Sequence, residues 1–317
     1  MTDDIVHVAV AVIVNDKNQV LIAKRPDHVH QGGLWEFPGG KIEDGEAINQ
    51  ALIREIKEEL DIVVSNPEPL IKIKHRYKDK TVLLDTQLIK KYTGNPVGAE
   101  GQAVKWKNIS ELNKLKFPAA NKSIISALQL PDAYMITGKF ESKENFKETL
   151  KSSLLNGRRI VQLRCKGIQD VAEYLELADM ARAVCNEFGA ILLLNTTVEN
   201  FDLSQAGGLN LNSQAVFQYT SRPISKNKLL SVSCHNIEEI EQAELLEADI
   251  VLLSPVKETL SHPGVKGMGW ETFNSLAENI QCPVYALGGM TVSDGEISKQ
   301  HGAQGIAAIS SLWLYEK

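Results

Sequence analysis

The stretch GGKIEDGEAINQALIREIKEELDI, from Gly39 to Ile62, decides how the first half of the chain is read. It predicts a tight glycine turn, a short acidic loop, and a helix over Ala47 to Leu60. Residues three and four apart on a helix share a face. Glu55, Glu58 and Glu59 are therefore expected to project together, with Glu55 and Glu59 nearly stacked. Leu52, Ile53, Ile56 and Leu60 fall on the neighbouring face, the pattern of a helix packed on a core. Ala47 and Ala51 are the only side chains expected above the glutamates, which leaves room for a ligand.

Three carboxylates this close repel one another unless a cation sits among them. Hard oxygen ligands suit Mg²⁺ or Mn²⁺, which keep several waters and bridge to a substrate's phosphates. A lone EIKEE would read as a solvated acidic face. Here Gly40, Glu46, Arg54-Glu55 and Glu58-Glu59 stand at fixed intervals, and that many fixed positions outweigh the simpler reading. The pattern resembles the Nudix box, the metal-binding loop and helix of hydrolases that cleave nucleoside diphosphates linked to another group. One position departs, Asp61, where the family usually has glycine. Aspartate tolerates a left-handed turn better than most residues, so the helix exit is expected to survive.

At 317 residues the chain is long enough for two domains, each with its own core. Its 43% hydrophobic and 23% charged content is ordinary for a soluble globular protein. A net charge of −6 argues against a broad nucleic-acid surface and for a small nucleotide substrate. Cys165, Cys185, Cys234 and Cys282 are scattered without a CxxC pair, which favours free thiols in a reducing compartment. The acidic N-terminal MTDDIVH and the lack of any membrane-length apolar run predict a cytoplasmic protein with no membrane partner.

The first domain is predicted over residues 1–129. Ile5 to Val14 and Gln19 to Ala23 read as two strands of a hairpin around Asn15-Asp16-Lys17-Asn18. His28 and His30 follow in a polar loop and, lacking other ligands nearby, read as loop residues. Further strands are expected at Leu70 to Tyr77 and Thr81 to Ile89, and a last helix at Lys122 to Leu128. The run GGLWEFPGGKIEDGE is similar to that of MutT-like enzymes, as are GAEGQAVKW and FPAAN. The resemblance implies a mixed-sheet α/β/α fold and a metal site built from Glu55, Glu58, Glu59 and Glu100, with the Gly39 carbonyl as a further ligand. It implies Arg25, Phe37 and Asn121 as nucleotide-binding residues. An asparagine amide can both donate and accept at a purine edge, although Asn121 taken alone also reads as a helix N-cap. Phe37 suits core packing as well as pocket lining. The chemistry so implied is water attack at the β-phosphorus of 8-oxo-dGTP, giving the monophosphate and pyrophosphate and sanitising the nucleotide pool for DNA replication and repair. Glu55 and Glu100 are both candidates for the base, while Arg54, placed in the catalytic set, and Glu46 read as supports for the loop.

After Leu130-Pro131-Asp132 the pattern changes to strands alternating with helices, and residues 133–317 predict a (β/α)₈ TIM barrel. The expected strands are AYMITG, IVQLR, AILLLN, GLNL, LLSVS, DIVLLS, PVYALGG and GIAAIS. Gln162, Arg164 and Lys166 are expected at the mouth, Gly288, Gly289 and Ser310 at a phosphate site, and His235 at the end of the fifth strand. These motifs, with SPVKET, resemble thiamine phosphate synthase and its TenI-like relatives, which implies a phosphorylated thiazole or thiamine-like ligand. Asn195 matches the asparagine of the third strand, but Thr196 stands where the synthases carry an aspartate, and NLNSQA offers no second one. Their lysine after the sixth strand is replaced by His262. Metal-assisted transfer onto a pyrophosphate substrate is therefore not expected. His235 suits proton transfer, as in the tautomerases, and equally a histidine satisfied by nearby backbone. Two rival readings follow from the pairing of domains: hydrolysis of thiamine-related pyrophosphates, or a ligand-sensing barrel attached to the hydrolase.

Overall fold

The computed structural model describes residues 5–29, 31–77, 81–165, 167–259, 264 and 266–315. The readings of His30, Lys166 and His262 lie outside the described residues. The chain forms two compact units, Met1–Gln129 and Leu130–Lys317.

In the first unit the elements run β1 (Ile5–Ile13), β2 (Gln19–Lys24), β3 (Trp35–Glu36), β4 (Gly39–Lys41), α1 (Ile48–Leu60), β5 (Val63–Ser65) and β6 (Glu68–Arg76). Then follow β7 (Thr81–Ile89), β8 (Lys91–Thr93), β9 (Val104–Asn108) and α2 (Asn121–Gln129). The principal sheet has the order β4-β1-β7-β6, with β1 and β7 parallel and the other pairs antiparallel. Alternation along β1 feeds two cores. Val10 and Val12 pack with Ile124 and Ile125 of α2, and Ala9, Ala11 and Ile13 pack with Leu52, Ile56 and Leu60 of α1. The sheet thus lies between two helices, the expected mixed α/β/α arrangement.

Two local expectations need correction. The predicted hairpin pairs at its tip alone: β2 belongs to a separate sheet, β3-β2-β9, and meets the chain beyond β1 through an antiparallel Val14–Val20 bridge and the Asn15 N–H to Gln19 carbonyl bond at 2.9 Å. The turn itself is there, with the Asn15 carboxamide accepting from Lys17 and Gln19 and Asn18 at φ 55°. Turn chemistry reverses the chain without choosing its partner, and both edges of β1 are already taken by β4 and β7. Ile53 is 45% exposed and lies outside the core face of α1.

The second unit is a closed parallel barrel, β10 (Ala133–Ile136), β11 (Ile160–Leu163), β12 (Ile191–Leu194), β13 (Gly208–Leu211), β14 (Leu229–Cys234), β15 (Ile250–Leu253), β16 (Val284–Leu287) and β17 (Gly305–Ala308), with β10 paired to β17. All eight strands fall where the sequence pattern puts them. Between them run α3 (Lys143–Leu155), α4 (Val171–Glu187), α5 (Val198–Asp202), α6 (Ile237–Leu245), α7 (Gly269–Ala277) and α8 (Gly295–Gln300). Strand alternation sends Tyr134, Ile160, Leu193, Ile250, Leu252 and Tyr285 into one cluster inside the barrel, and Met135, Val161, Leu192 and Val251 into the larger helix-facing core. Short α5 and α8 span too few residues to show helical periodicity in the sequence.

Candidate functional site

The glycine turn and α1 bring the acidic residues of the first unit together. Gly39 sits at φ 146°, paired against Val10, and a β-carbon there would meet the Ala9 carbonyl oxygen at 2.1 Å, so only glycine fits. Its N–H donates to Glu59 Oε2 at 3.1 Å. Gly40 leaves the space into which the Glu55 carboxyl folds. Arg54 forks across the loop. It donates to both oxygens of Glu46 at 2.9 and 2.8 Å, to the Lys41 carbonyl at 3.1 Å, and to Glu55 Oε1 at 2.8 Å. The hydrogen bond from Arg54, with a second from the Glu43 N–H, holds the Glu46 carboxyl down to about 2. Arg54 is thereby placed as a brace between loop and helix, rather than as a group facing a substrate.

The three glutamates of α1 do not share one environment. Glu55 and Glu59 turn inward, whereas the Glu58 side chain is 59% exposed. Ala51 is fully buried beneath them and does not form the roof that the helical spacing predicted. Among the described residues no group of three or more acidic, His or Cys side chains is already drawn together as a metal site. The geometry explains this, since Arg54 holds Glu55 and Glu58 points outward. The donor set nevertheless fits a hard cation. Burial, followed by the nearby Glu36, Glu100 and Glu55 carboxylates, pushes Glu59 up to about 8 against the Gly39 hydrogen bond. Three carboxylates therefore surround one half-buried carboxyl, the electrostatic situation that a divalent ion relieves.

Glu36 was not anticipated. It immediately precedes Phe37-Pro38-Gly39, is half-buried, and forms an ion pair with Arg25. Burial raises its pKa and Arg25 opposes the rise. Its acidic character next to the glycine turn was the available signal. Arg25 is therefore turned toward a carboxylate of the site. Phe37, only 4% exposed, stacks on Phe117 with centroids 5.6 Å apart and packs with Ala120 and Ile124. It is a core residue at the edge of the site. Asn121 is the first residue of α2 and its N–H donates to the Pro118 carbonyl, so it is not an N-cap outside the helix. The residue is 8% exposed, and its buried Oδ1 has no hydrogen-bond partner among the described residues. An orphaned acceptor of this kind calls for an explanation, and a ligand N–H supplies one.

In the barrel, Gln162 points inside and is 1% exposed, donating to Tyr134 Oη at 3.1 Å and accepting from Asn195 Nδ2 at 3.2 Å. Asn210 on β13 also faces inward; its Nδ2 donates to Ser233 Oγ at 3.3 Å, while its buried Oδ1 has no partner among the described residues. It was missed because β13 reads as a plain apolar strand. Arg164 is half-buried, and its backbone is clamped by two hydrogen bonds with the Thr137 hydroxyl. Burial lowers its pKa. His235 is exposed, and its Nδ1 lies 2.9 Å from Glu239 Oε2. A carboxylate accepts only, so Nδ1 donates and Nε2 is left free. Gly288 and Gly289, at φ 97° and 67°, pass so close to Pro255 and the Glu258 carbonyl that a β-carbon would come within 2.7 Å of either. Lys257, bonded to Asp294 at 2.6 Å, braces this turn. Ser310 is exposed, and its neighbour Ser311 donates to the Met290 carbonyl at 2.9 Å.

Residues 9–127 match the family model described as NUDIX domain, and residues 133–312 the model described as Thiamine monophosphate synthase. Over 123 residues the chain is 36% identical to the 8-oxo-dGTP diphosphatase of Escherichia coli (strain K12), a match covering 39% of this chain and 95% of that relative. Over 186 residues it is 37% identical to a protein of Aquifex aeolicus (strain VF5) that bears the provisional name thiamine-phosphate synthase 2, covering 58% of this chain and 98% of the relative. It is 27% identical over 186 residues to the thiamine-phosphate synthase of Fusobacterium nucleatum subsp. nucleatum, covering 58% of this chain and 89% of that one.

Proposed function

The chain belongs to the Nudix family through residues 9–127 and to the thiamine monophosphate synthase family through residues 133–312, and on that premise we propose a substrate class for each unit. The first unit is an enzyme, a nucleotide pyrophosphohydrolase. Its substrate in this reading is an oxidised purine triphosphate, 8-oxo-dGTP foremost, cut to the monophosphate and pyrophosphate. The relatives named as 8-oxo-dGTP diphosphatases support that choice, and so does the orphaned acceptor of Asn121.

Nudix hydrolases use a divalent ion, and in this reading it is Mg²⁺, with Mn²⁺ as a substitute. Glu55, Glu58, Glu59, Glu100 and the Gly39 carbonyl would hold it. When bound, it offsets the charge of the triphosphate and lowers the pKa of water. The protein's own part is to fix these oxygens through Gly39, Gly40 and Arg54, and to take the water's proton on Glu55 or Glu100. Arg25 meets the phosphate end and Asn121 the purine edge. The observation that carries the reading is the meeting of Glu36, Glu55 and Glu100 upon the half-buried Glu59. Hydrolysis in ¹⁸O-labelled water tests it. Attack at the β-phosphorus puts the label into pyrophosphate, and label in the nucleoside monophosphate would contradict it.

The barrel in this reading is a pocket for a phosphorylated thiazole or thiamine-like molecule. Arg164 and the Gly288-Gly289 turn face the phosphate, and His235, aligned by Glu239, is available for proton transfer. Thr196 and the NLNSQA segment supply no carboxylates for a metal-bridged diphosphate, which favours a binding or tautomerase role over synthesis.

A further inference from the structure

Helix α1 ends with carbonyls that have no partner within the helix, as every helix does. A separate loop, residues 97–102, meets them. The Val97 N–H donates to the Leu60 carbonyl at 3.1 Å and the Ala99 N–H to the Glu59 carbonyl at 2.9 Å. The Gln102 side chain completes the connection at both of its ends. Nε2 donates to the same Glu59 carbonyl at 2.9 Å, and Oε1 accepts the Glu100 N–H at 2.9 Å. One carboxamide therefore joins the backbone of a glutamate on the helix to the backbone of the glutamate on the loop. Gly98 permits the tight crossing, since a β-carbon there would lie 1.8 Å from the Gln102 carbonyl oxygen. Gly101, at φ 83°, lets the loop turn between Glu100 and Gln102.

We infer that Gln102 is a positioning residue, holding the Glu100 carboxylate in register with Glu59 so that both can serve one divalent ion. The inference rests on the proposed metal role of Glu100. Glu100 is exposed, whereas Gln102 is half-buried. Without the carboxamide the Glu59 carbonyl keeps its bond from Ala99, so the helix end survives. The Glu100 N–H loses its acceptor, and the turn bearing Glu100 is released. Groups that orient a metal's ligands are worth about 10–100-fold in metal affinity or activity when removed.

The test uses the full chain and Mn²⁺ alone, with free Mn²⁺ followed by its electron paramagnetic resonance signal. Thermal unfolding is measured on each variant. Glu100→Gln weakens Mn²⁺ binding if Glu100 is a ligand; unchanged affinity would overturn the ligand role and this inference with it. Gln102→Leu is expected to weaken Mn²⁺ binding about tenfold while shifting Tm little in the metal-free protein. In the Glu100→Gln background the same substitution is expected to add less than about a twofold further loss, because its effect passes through Glu100. Two results would overturn the inference alone: Mn²⁺ affinity within about twofold of wild type in Gln102→Leu, or an equal loss in both backgrounds, which would mark a general structural role.

Discussion

The Glu55 carboxyl occupies the space that a side chain at position 40 would fill: a β-carbon on Gly40 would stand 2.0 Å from Glu55 Cδ. The obstructing atoms are the end of a flexible side chain, so Gly40→Ala is expected to leave the fold nearly as stable as wild type while pushing Glu55 out of place. Pyrophosphate release should fall at least about tenfold. At Gly39 the obstruction is the Ala9 backbone oxygen and the φ is 146°, so Gly39→Ala is expected to destabilise by about 1–3 kcal/mol. Thermal unfolding and turnover measured together separate the two cases. Equal stability losses would contradict this account of the turn.

Asn121 presents a buried acceptor that nothing among the described residues satisfies. Removing it costs the fold little, because no hydrogen bond to Oδ1 is broken. Asn121→Ala is expected to keep Tm close to wild type and to lower kcat/KM for purine triphosphates about 10–100-fold, the worth of a good amide–base pair. Pyrimidine triphosphates should be affected much less. A uniform loss across bases would show that Asn121 supports the helix and not the purine.

The barrel is expected to make no thiamine phosphate. Asn195 is engaged with Gln162, Thr196 accepts a hydrogen bond from Asn200, and neither supplies a carboxylate at the mouth. Incubating the full chain with a thiazole phosphate, a pyrimidine diphosphate and Mg²⁺ should yield no product by chromatography. Binding of the thiazole phosphate should be lost in Arg164→Met. Product above background would overturn the assignment of a binding or tautomerase role.

Asp294 tests the barrel's response to acid. Its burial pushes the carboxyl up, but the Lys257 ammonium at 2.6 Å and the Thr291 amide and hydroxyl, each at 2.9 Å, hold it below the usual aspartate range. A carboxyl with a lower pKa folded than unfolded contributes stability that is full above the unfolded value. That contribution fades as pH falls through the folded one. Asp294→Asn should therefore lower Tm by a few degrees at pH 7, and the gap to wild type should narrow as pH falls below the ordinary aspartate range. A gap that persists unchanged in acid would mean that the bond to Lys257 contributes nothing.

The barrel's eight strands were legible because buried parallel strands read as short apolar runs at regular intervals. The acidic helix was legible because its spacing is dictated by a face. Other features depended on tertiary partners that no local pattern encodes. Asn15 to Asn18 signals a reversal, yet both edges of β1 were claimed by distant strands. Glu58 carries the same spacing signal as Glu55 and Glu59, but it meets Arg54 only at 3.7 Å and its side chain stays 59% exposed, while Glu46 and Glu55 take the closer bonds. Glu36 and Gln102 are single polar residues in strand and loop, and they acquire meaning only when Arg25 and the end of α1 arrive beside them. Asp61 was read correctly, since it closes α1 in the left-handed region at φ 55°.

The most direct test compares pyrophosphate release from 8-oxo-dGTP, dGTP and thiamine diphosphate with Mg²⁺, in wild type and in Glu59→Gln. A strong kcat/KM preference for 8-oxo-dGTP, lost by at least about a hundredfold in a folded Glu59→Gln protein, is the predicted result. A preference for thiamine diphosphate, or undiminished turnover in Glu59→Gln with a normal circular dichroism spectrum, would contradict it.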